Sequence, residues 1–207
     1  MKSNIVVWVL LLPFIFTACS EDDDGLGQPK INSTSDVVTE LQGTWSSDGI
    51  LEFPIDAPGS PFAVVYQTET FTFTDTLNTI NVSIFADEGL TTPVLNYRST
   101  GPFTILGTSS SFEKTWEADF ANTEQSLEIL LDNRQLLDAL GFSACGITEA
   151  NVVYDITDGC SIFPGIDECI EQDIIQLKNN TLRFGSREGD ICANRASSLQ
   201  DIIYTKD

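Results

Sequence analysis

No histidine occurs in the 207 residues, and that absence removes more chemistry than any other feature of the chain. A serine or cysteine nucleophile has no imidazole to take its proton, and the side chain that changes charge near neutral pH is missing. Basic residues are scarce too, with 10 Lys and Arg against 31 Asp and Glu. They are scattered, so no stripe of cations exists to neutralise phosphates, and nucleic acid is excluded as a partner. The same balance argues against docking on anionic lipid through the protein surface. Cys-x-x-Cys pairs and internal repeats are absent, and no long apolar run follows residue 18. Asp155, Asp158, Asp167, Glu168, Glu171 and Asp173 crowd one region and suit a polar rim, with a weak calcium site as the rival reading. They lack the Asp-x-Asp-x-Asp-Gly spacing of a calcium loop. What is left is a binding protein, with no catalytic residue, metal or cofactor expected.

What the chain does have begins at its start. Lys2 precedes an apolar run from Ile5 to Phe16, interrupted only by Pro13 and too short to span a bilayer comfortably. It ends in Phe16-Thr17-Ala18-Cys19, which reads as a signal peptide of residues 1–18 closed by a lipobox. Cys19 is then the lipidated mature N-terminus, and several acyl chains would hold it to a membrane. Ser20-Glu21-Asp22-Asp23-Asp24-Gly25 resembles the acidic export signal of surface lipoproteins in the Bacteroidota, which implies the outer membrane and a surface-facing orientation as one option. Residues 19–36 contain nothing apolar enough to pack and read as an acidic, disordered linker. Cleavage removes only Lys2 among charged residues, leaving 31 acids against 9 bases.

The remaining residues, 37–207, suffice for one domain with a real core. Leu41-Gln-Gly-Thr-Trp45 reads as its first strand, with Gly43 bending the backbone and Trp45 dropping its ring into a floor. Thr70, Thr72 and Thr74 alternate with Phe71 and Phe73, the pattern of a strand with one apolar face. After a turn at Asp75 to Asn78, Ile80, Val82 and Ile84 alternate again. Pro93 to Leu106, broken by Gly101-Pro102, predicts two short strands or one bent one. Trp116, Ala118 and Phe120 share a face, and the run through Leu127, Ile129 and Leu131 continues as a strand pair or one long bent strand.

Asp132 to Leu140 is the one short helix expected, capped by Asp132 or Asn133 and ended by Gly141. Beyond it stand Cys145, Cys160, Cys169 and Cys192, an even set once Cys19 is set aside for lipid, so two disulfides are expected. Three connectivities exist, of which Cys145 with Cys160 and Cys169 with Cys192 is the favoured one.

These pieces together resemble the adenomatosis polyposis coli down-regulated family, antagonists of Wnt signalling with bacterial relatives. The resemblance is carried by Leu41-Gln-Gly-Thr-Trp45, Phe71-Thr-Phe73, Tyr97-Arg98 to Gly101, Leu136-Leu137-Asp138, Cys145-Gly146, and Asp155-Ile156-Thr157 before Gly159-Cys160. Ile174-Ile175-Gln176-Leu177 and Leu182-Arg183-Phe184-Gly185 complete it. It implies a mainly β fold, a lipocalin-like, partly open antiparallel barrel whose concavity takes lipid. A cysteine pair of the animal proteins is missing, since Ser47-Asp48 and Leu90-Thr91-Thr92 stand in its place, and Wnt is no plausible partner for a bacterial-style lipoprotein.

The expected ligand is therefore a hydrophobic small molecule or lipid acyl chain. Phe71, Phe73, Ile80, Val82, Ile84, Trp116 and Phe120 are its expected lining, read from three apolar stripes at period two. In a closed small barrel the same stripes would instead fill a dry core. The alternative function is a glycan- or protein-binding module of an outer-membrane uptake system, for which Trp116, Tyr66 and Tyr97 would have to form an exposed row of rings.

Overall fold

The computed structural model describes residues 31 to 207 except 56–59, 162 and 188–189. The expected signal peptide, the expected lipidation site Cys19 and the acidic run lie outside the described residues. No helix among those described is long and apolar enough to cross a membrane.

In chain order the elements begin with α1 (Thr34–Leu41), β1 (Gly43–Ser47), β2 (Leu51–Pro54), β3 (Val64–Phe73), β4 (Leu77–Phe85) and β5 (Pro93–Thr108). Then come β6 (Thr115–Ala121), β7 (Glu124–Ile129), α2 (Arg134–Ala139) and β8 (Val153–Asp155). The chain ends with β9 (Ile170–Lys178), β10 (Thr181–Phe184) and β11 (Tyr204–Lys206). Eight strands close on themselves in the order β1, β3, β4, β5, β6, β9, β10, β11 and back to β1, every pair antiparallel. The barrel expected from the sequence is thus present, but its ladder is closed where a partly open sheet was expected.

The expected bend at Gly101-Pro102 shows why one strand serves two neighbours. β5 runs unbroken for 16 residues, pairing β7 along its first half and β6 along its second. β6 and β7 follow one another along the same edge, and Thr123 N–H donates to Thr100 O at 2.8 Å where they change over. β8 extends this side by pairing β7, and β2 extends the other by pairing β3 beyond β1.

The floor corrects the linker reading. Ser33 caps α1, its hydroxyl accepting from Asp36 N–H at 3.2 Å while the Asp36 carboxylate accepts from Ser33 N–H at 3.0 Å. This reciprocal box starts a helix inside a stretch that composition alone marks as spacer, so the boundary expected at 36/37 falls within α1, and the described residues hold two short α-helices where one was expected. Val37 and Leu41 of α1 are fully buried, and the Trp45 indole donates to Leu41 O at 2.7 Å. Gly43, at φ +112°, makes the sharp entry from helix to strand that a Cβ would strain.

On the far side of the barrel, residues 190–200 lie across the outside of β9. Cys169–Cys192 ties them there, and Gln172 N–H donates to Ile191 O at 2.8 Å. Arg195 clamps the outer face of β6 and β9. Its Nη1 donates to Ala118 O at 2.9 Å and Asp173 O at 2.7 Å, and its Nη2 reaches Asp119 at 2.7 Å. The other disulfide, Cys145–Cys160, holds the loop after α2, so the favoured pairing is the one formed. Loops of these lengths predict about 3 kcal/mol of stabilisation from each bond.

Helix α2 forms where expected. Asn133 is the cap, accepting from Leu136 N–H at 3.1 Å, and Gly141 follows at φ +77°. Leu136, Leu137 and Phe142 pack on Leu95, Leu127 and Ile129. On β5, Leu95, Tyr97, Ser99, Phe103 and Ile105 alternate on one face. The face that lines the barrel at Phe103 and Ile105 is therefore covered by the α2 lobe at Leu95, which roofs one side of the mouth.

Candidate functional site

Inside the barrel the side chains change character with height. At the bottom, rings fill the space: Phe71 lies 4.3 Å from Phe184 and 5.1 Å from Tyr204 between centroids, and Phe73 lies 5.2 Å from Phe103. Trp116, Ala118 and Phe120 belong to the same packed cluster. Of the expected lining residues, Phe71, Phe73, Trp116 and Phe120 are thus part of this floor, each buried.

Ile80, Val82 and Ile84 are placed differently. They sit on the inward face of β4, which is hydrogen-bonded on both edges, yet all three are only partly buried. Ile80 touches the floor cluster and Ile84 touches the α2 lobe cluster. Val82 lies between them, paired in register with Glu69 on one side and Tyr97 on the other. The structure therefore divides the seven expected residues into four that fill the floor and three that line the wall above it.

Between the two apolar clusters runs a layer of polar groups. One step above Phe71 on β3 stands Glu69, and two steps above Phe103 on β5, past Gly101, stands Ser99, paired with Gln125 of β7. Across the barrel, Asp173 and Glu171 continue the inward face of β9 above Ile175. Arg187, just after β10, ion-pairs with Glu171 at 3.2 Å, and the carboxylates of Asp173 and Glu69 lie close enough to act on its charge. The Tyr204 hydroxyl donates to Glu69. Arg187 keeps 44% of its side chain exposed, so solvent reaches the layer from the mouth.

The electrostatics follow from this enclosure. Burial pushes the Asp173 carboxyl above the usual carboxylate range, although Arg187 and the N–H groups of Ile174 (2.7 Å) and Gly185 (2.8 Å), both donating to Oδ1, pull the other way. Burial likewise raises the Tyr204 phenol, helped by the Glu69 charge, and raises the Tyr97 phenol. Burial works against the Arg187 charge, but the surrounding carboxylates outweigh it and hold the guanidinium above its ordinary value.

Asp173 supplies a test of that balance. Asp173→Asn keeps an oxygen for both backbone N–H donors and removes the ionisable group. An acid whose folded pKa lies above its unfolded value near about 3.9 loses stability as pH rises from that value through the folded pKa. The wild type suffers this loss and the variant does not. The variant is expected to melt higher at pH 7, with the gap closing below about pH 4. A lower melting temperature at pH 7 would show that attraction to Arg187 outweighs the cost of burial.

Four oxygens of the layer are buried without a hydrogen-bond partner: Ser99 Oγ, Gln125 Oε1, Glu171 Oε2 and Asp173 Oδ2. Ser99 stands beside the Tyr97 phenol without a bond of normal geometry, and Glu171 Oε2 has only its ion pair. Buried polar atoms in native proteins are nearly always satisfied, so such a group marks a place for water or ligand. By sequence, Glu171 and Asp173 belong to the acidic stretch that suits a polar rim or a weak calcium site, and Glu69, Ser99, Gln125 and Arg187 carry no motif. Extending the period-two stripe back from Phe71 to Glu69 and from Ile175 to Asp173 would have exposed them as polar residues on an apolar face. Arg187 follows β10 in a loop and carries no such signal.

Among the described residues no three Cys, Asp or Glu converge as metal ligands. The four cysteines of the domain are joined in two disulfides. Fold and interior together define a lipocalin-like antiparallel β-barrel with a ring-filled floor and a polar middle layer. No protein-family model and no curated protein matches the chain.

Proposed function

We propose that this protein is a non-catalytic carrier that takes an amphipathic ligand into the mouth half of its barrel, at an outer membrane to which a lipidated Cys19 ties it. The observation that carries the reading is β4: a strand paired on both edges whose inward Ile80, Val82 and Ile84 are nonetheless partly exposed. A concave apolar wall left open to solvent gains roughly 0.8 kcal/mol for each methylene laid against it. The filled floor keeps a tail from running the barrel's full depth, so the ligand's tail lies across β4 and its polar end meets the layer beside Val82.

Two further features support the reading. The resemblance to the Wnt-antagonist family implies an acyl-binding concavity. The rings that a glycan platform would need do not form a row, since Trp116 is buried in the floor, Tyr97 is stacked on Phe163 at 4.4 Å, and Tyr66 alternates to the outer face.

Native mass spectrometry of the mature chain with Cys19→Ser, delipidated and then exposed to amphiphiles of 8 to 16 carbons, tests it. A one-to-one adduct is expected, weakened about tenfold or more by Val82→Arg, which sets a charge on the apolar wall. Absence of an adduct at every chain length would sink the reading.

A further inference from the structure

We infer that the polar layer is a head-group subsite for a primary ammonium, so that the ligand is a cationic, amine-bearing amphiphile. This rests on the carrier reading and deepens it. The first reason is the kind of atom left unpartnered. Gln125 Oε1 and Asp173 Oδ2 are acceptors without a hydrogen bond, Ser99 Oγ can act as one, and Glu171 Oε2 has only its ion pair with Arg187. A ligand that satisfies them must bring donors, and an ammonium brings three with no acceptor of its own.

The second reason is charge. Glu69, Glu171 and Asp173 face the layer against the single cation Arg187. Even Glu69 and Glu171 alone outnumber it two to one. No other cation among the described residues is turned this way. Arg183 lies on the outer face of β10, donating to Gln200 O at 3.0 Å, and Arg195 clamps the outside of β6 and β9. Lys206 is at the floor, over the Trp45 ring and donating to Glu40 O at 2.8 Å. A carboxylate or phosphate head would therefore meet an acidic surround whose one guanidinium is already paired. A compact cation in a partly desolvated acidic pocket is favoured by the same electrostatics.

The third reason is access. Glu171 keeps 17% and Arg187 44% of its side chain exposed, so the layer opens to the mouth on the side where both stand.

The test uses three probes with one tail, dodecylamine, dodecanol and dodecanoate, each below its micelle concentration at pH 7, titrated into the mature Cys19→Ser chain. Dodecylamine is expected to bind at least tenfold tighter than dodecanoate, with dodecanol between. Glu171→Gln should bring that ratio within about threefold and leave dodecanol unchanged, and Glu69→Gln should move it the same way. Glu88→Gln, on an exposed turn, removes the same charge from the protein and should leave the ratio alone. Equal binding of all three probes, tighter binding of dodecanoate, or an equal response to Glu88→Gln would overturn the ammonium subsite while the carrier reading stood. If no probe binds, both fall.

Discussion

Gly101→Ala should cost the barrel about 4 kcal/mol or more, the range reached only by severe steric or core defects. The reason is space, since Gly101 is not among the residues with positive φ. A Cβ there would sit 1.8 Å from Ala121 O and 2.7 Å from Asn122 Cα. Both are backbone atoms at the changeover from β6 to β7, held by the bond from Thr123 N–H to Thr100 O. Neither can retreat without pulling Phe103 from Phe120 on one side or Thr100 from Glu124 on the other. For a domain of this size the loss corresponds to a fall in Tm of about 8–16 °C. Thermal melting followed by circular dichroism reads it directly. A fall under about 2 °C would mean that the crossing yields and that Gly101 is not what lets one strand serve two neighbours.

Trp45→Ala comes second, at about 3–5 kcal/mol. Its ring is fully buried, its N–H is spent on Leu41 O, and the Lys206 ammonium rests 5.2 Å above it. Truncation opens a cavity between α1 and β1, and it also removes the surface on which Val37 and Leu41 are packed. Two effects are therefore expected together: a lower Tm and faster amide exchange in residues 37–41 than elsewhere. Trp45→Phe keeps one six-membered ring, loses the hydrogen bond and part of the packing, and should cost less, about 1–3 kcal/mol. If both variants cost the same, the indole N–H and not the packing holds the floor. Because the polar layer lies above this floor, the two substitutions also separate fold from site. Glu171→Gln should change ligand preference with little effect on melting, and Trp45→Phe the reverse.

Much of the architecture was legible. Phe71 and Phe73 on one face, Ile80, Val82 and Ile84 on the next, and the break at Gly101-Pro102 announce bent antiparallel strands, because period two survives in any half-buried sheet. The helix at α2 carries its cap and its terminal glycine in the sequence. The α1 helix was missed, since Thr34 and Ser35 look like spacer until the Ser33 and Asp36 side chains are seen to close a capping box. Its apolar face is only Val37, Val38 and Leu41, too short a pattern to stand out without the barrel floor that it covers.

The lining of the site was harder to read for a different reason. Alternation says which side chains point inward, and it did so for all seven expected residues, but it does not say which inward neighbours touch. Phe71 meets Phe184 and Tyr204, residues more than a hundred positions away, and only the closure of the barrel makes them fill the floor. Among the described residues Val82 belongs to neither buried cluster and stays only partly buried.

From the sequence alone came the longer strands, the α2 helix with its cap and glycine, an even set of cysteines and the absence of imidazole chemistry, all of them properties of residues near one another or of composition. Only the tertiary structure decided that the ladder closes, how high the packed rings reach, and that Glu69, Glu171, Asp173 and Arg187 share one space. Those follow from the angle and stagger at which strands meet, which long-range pairing sets and no local pattern encodes.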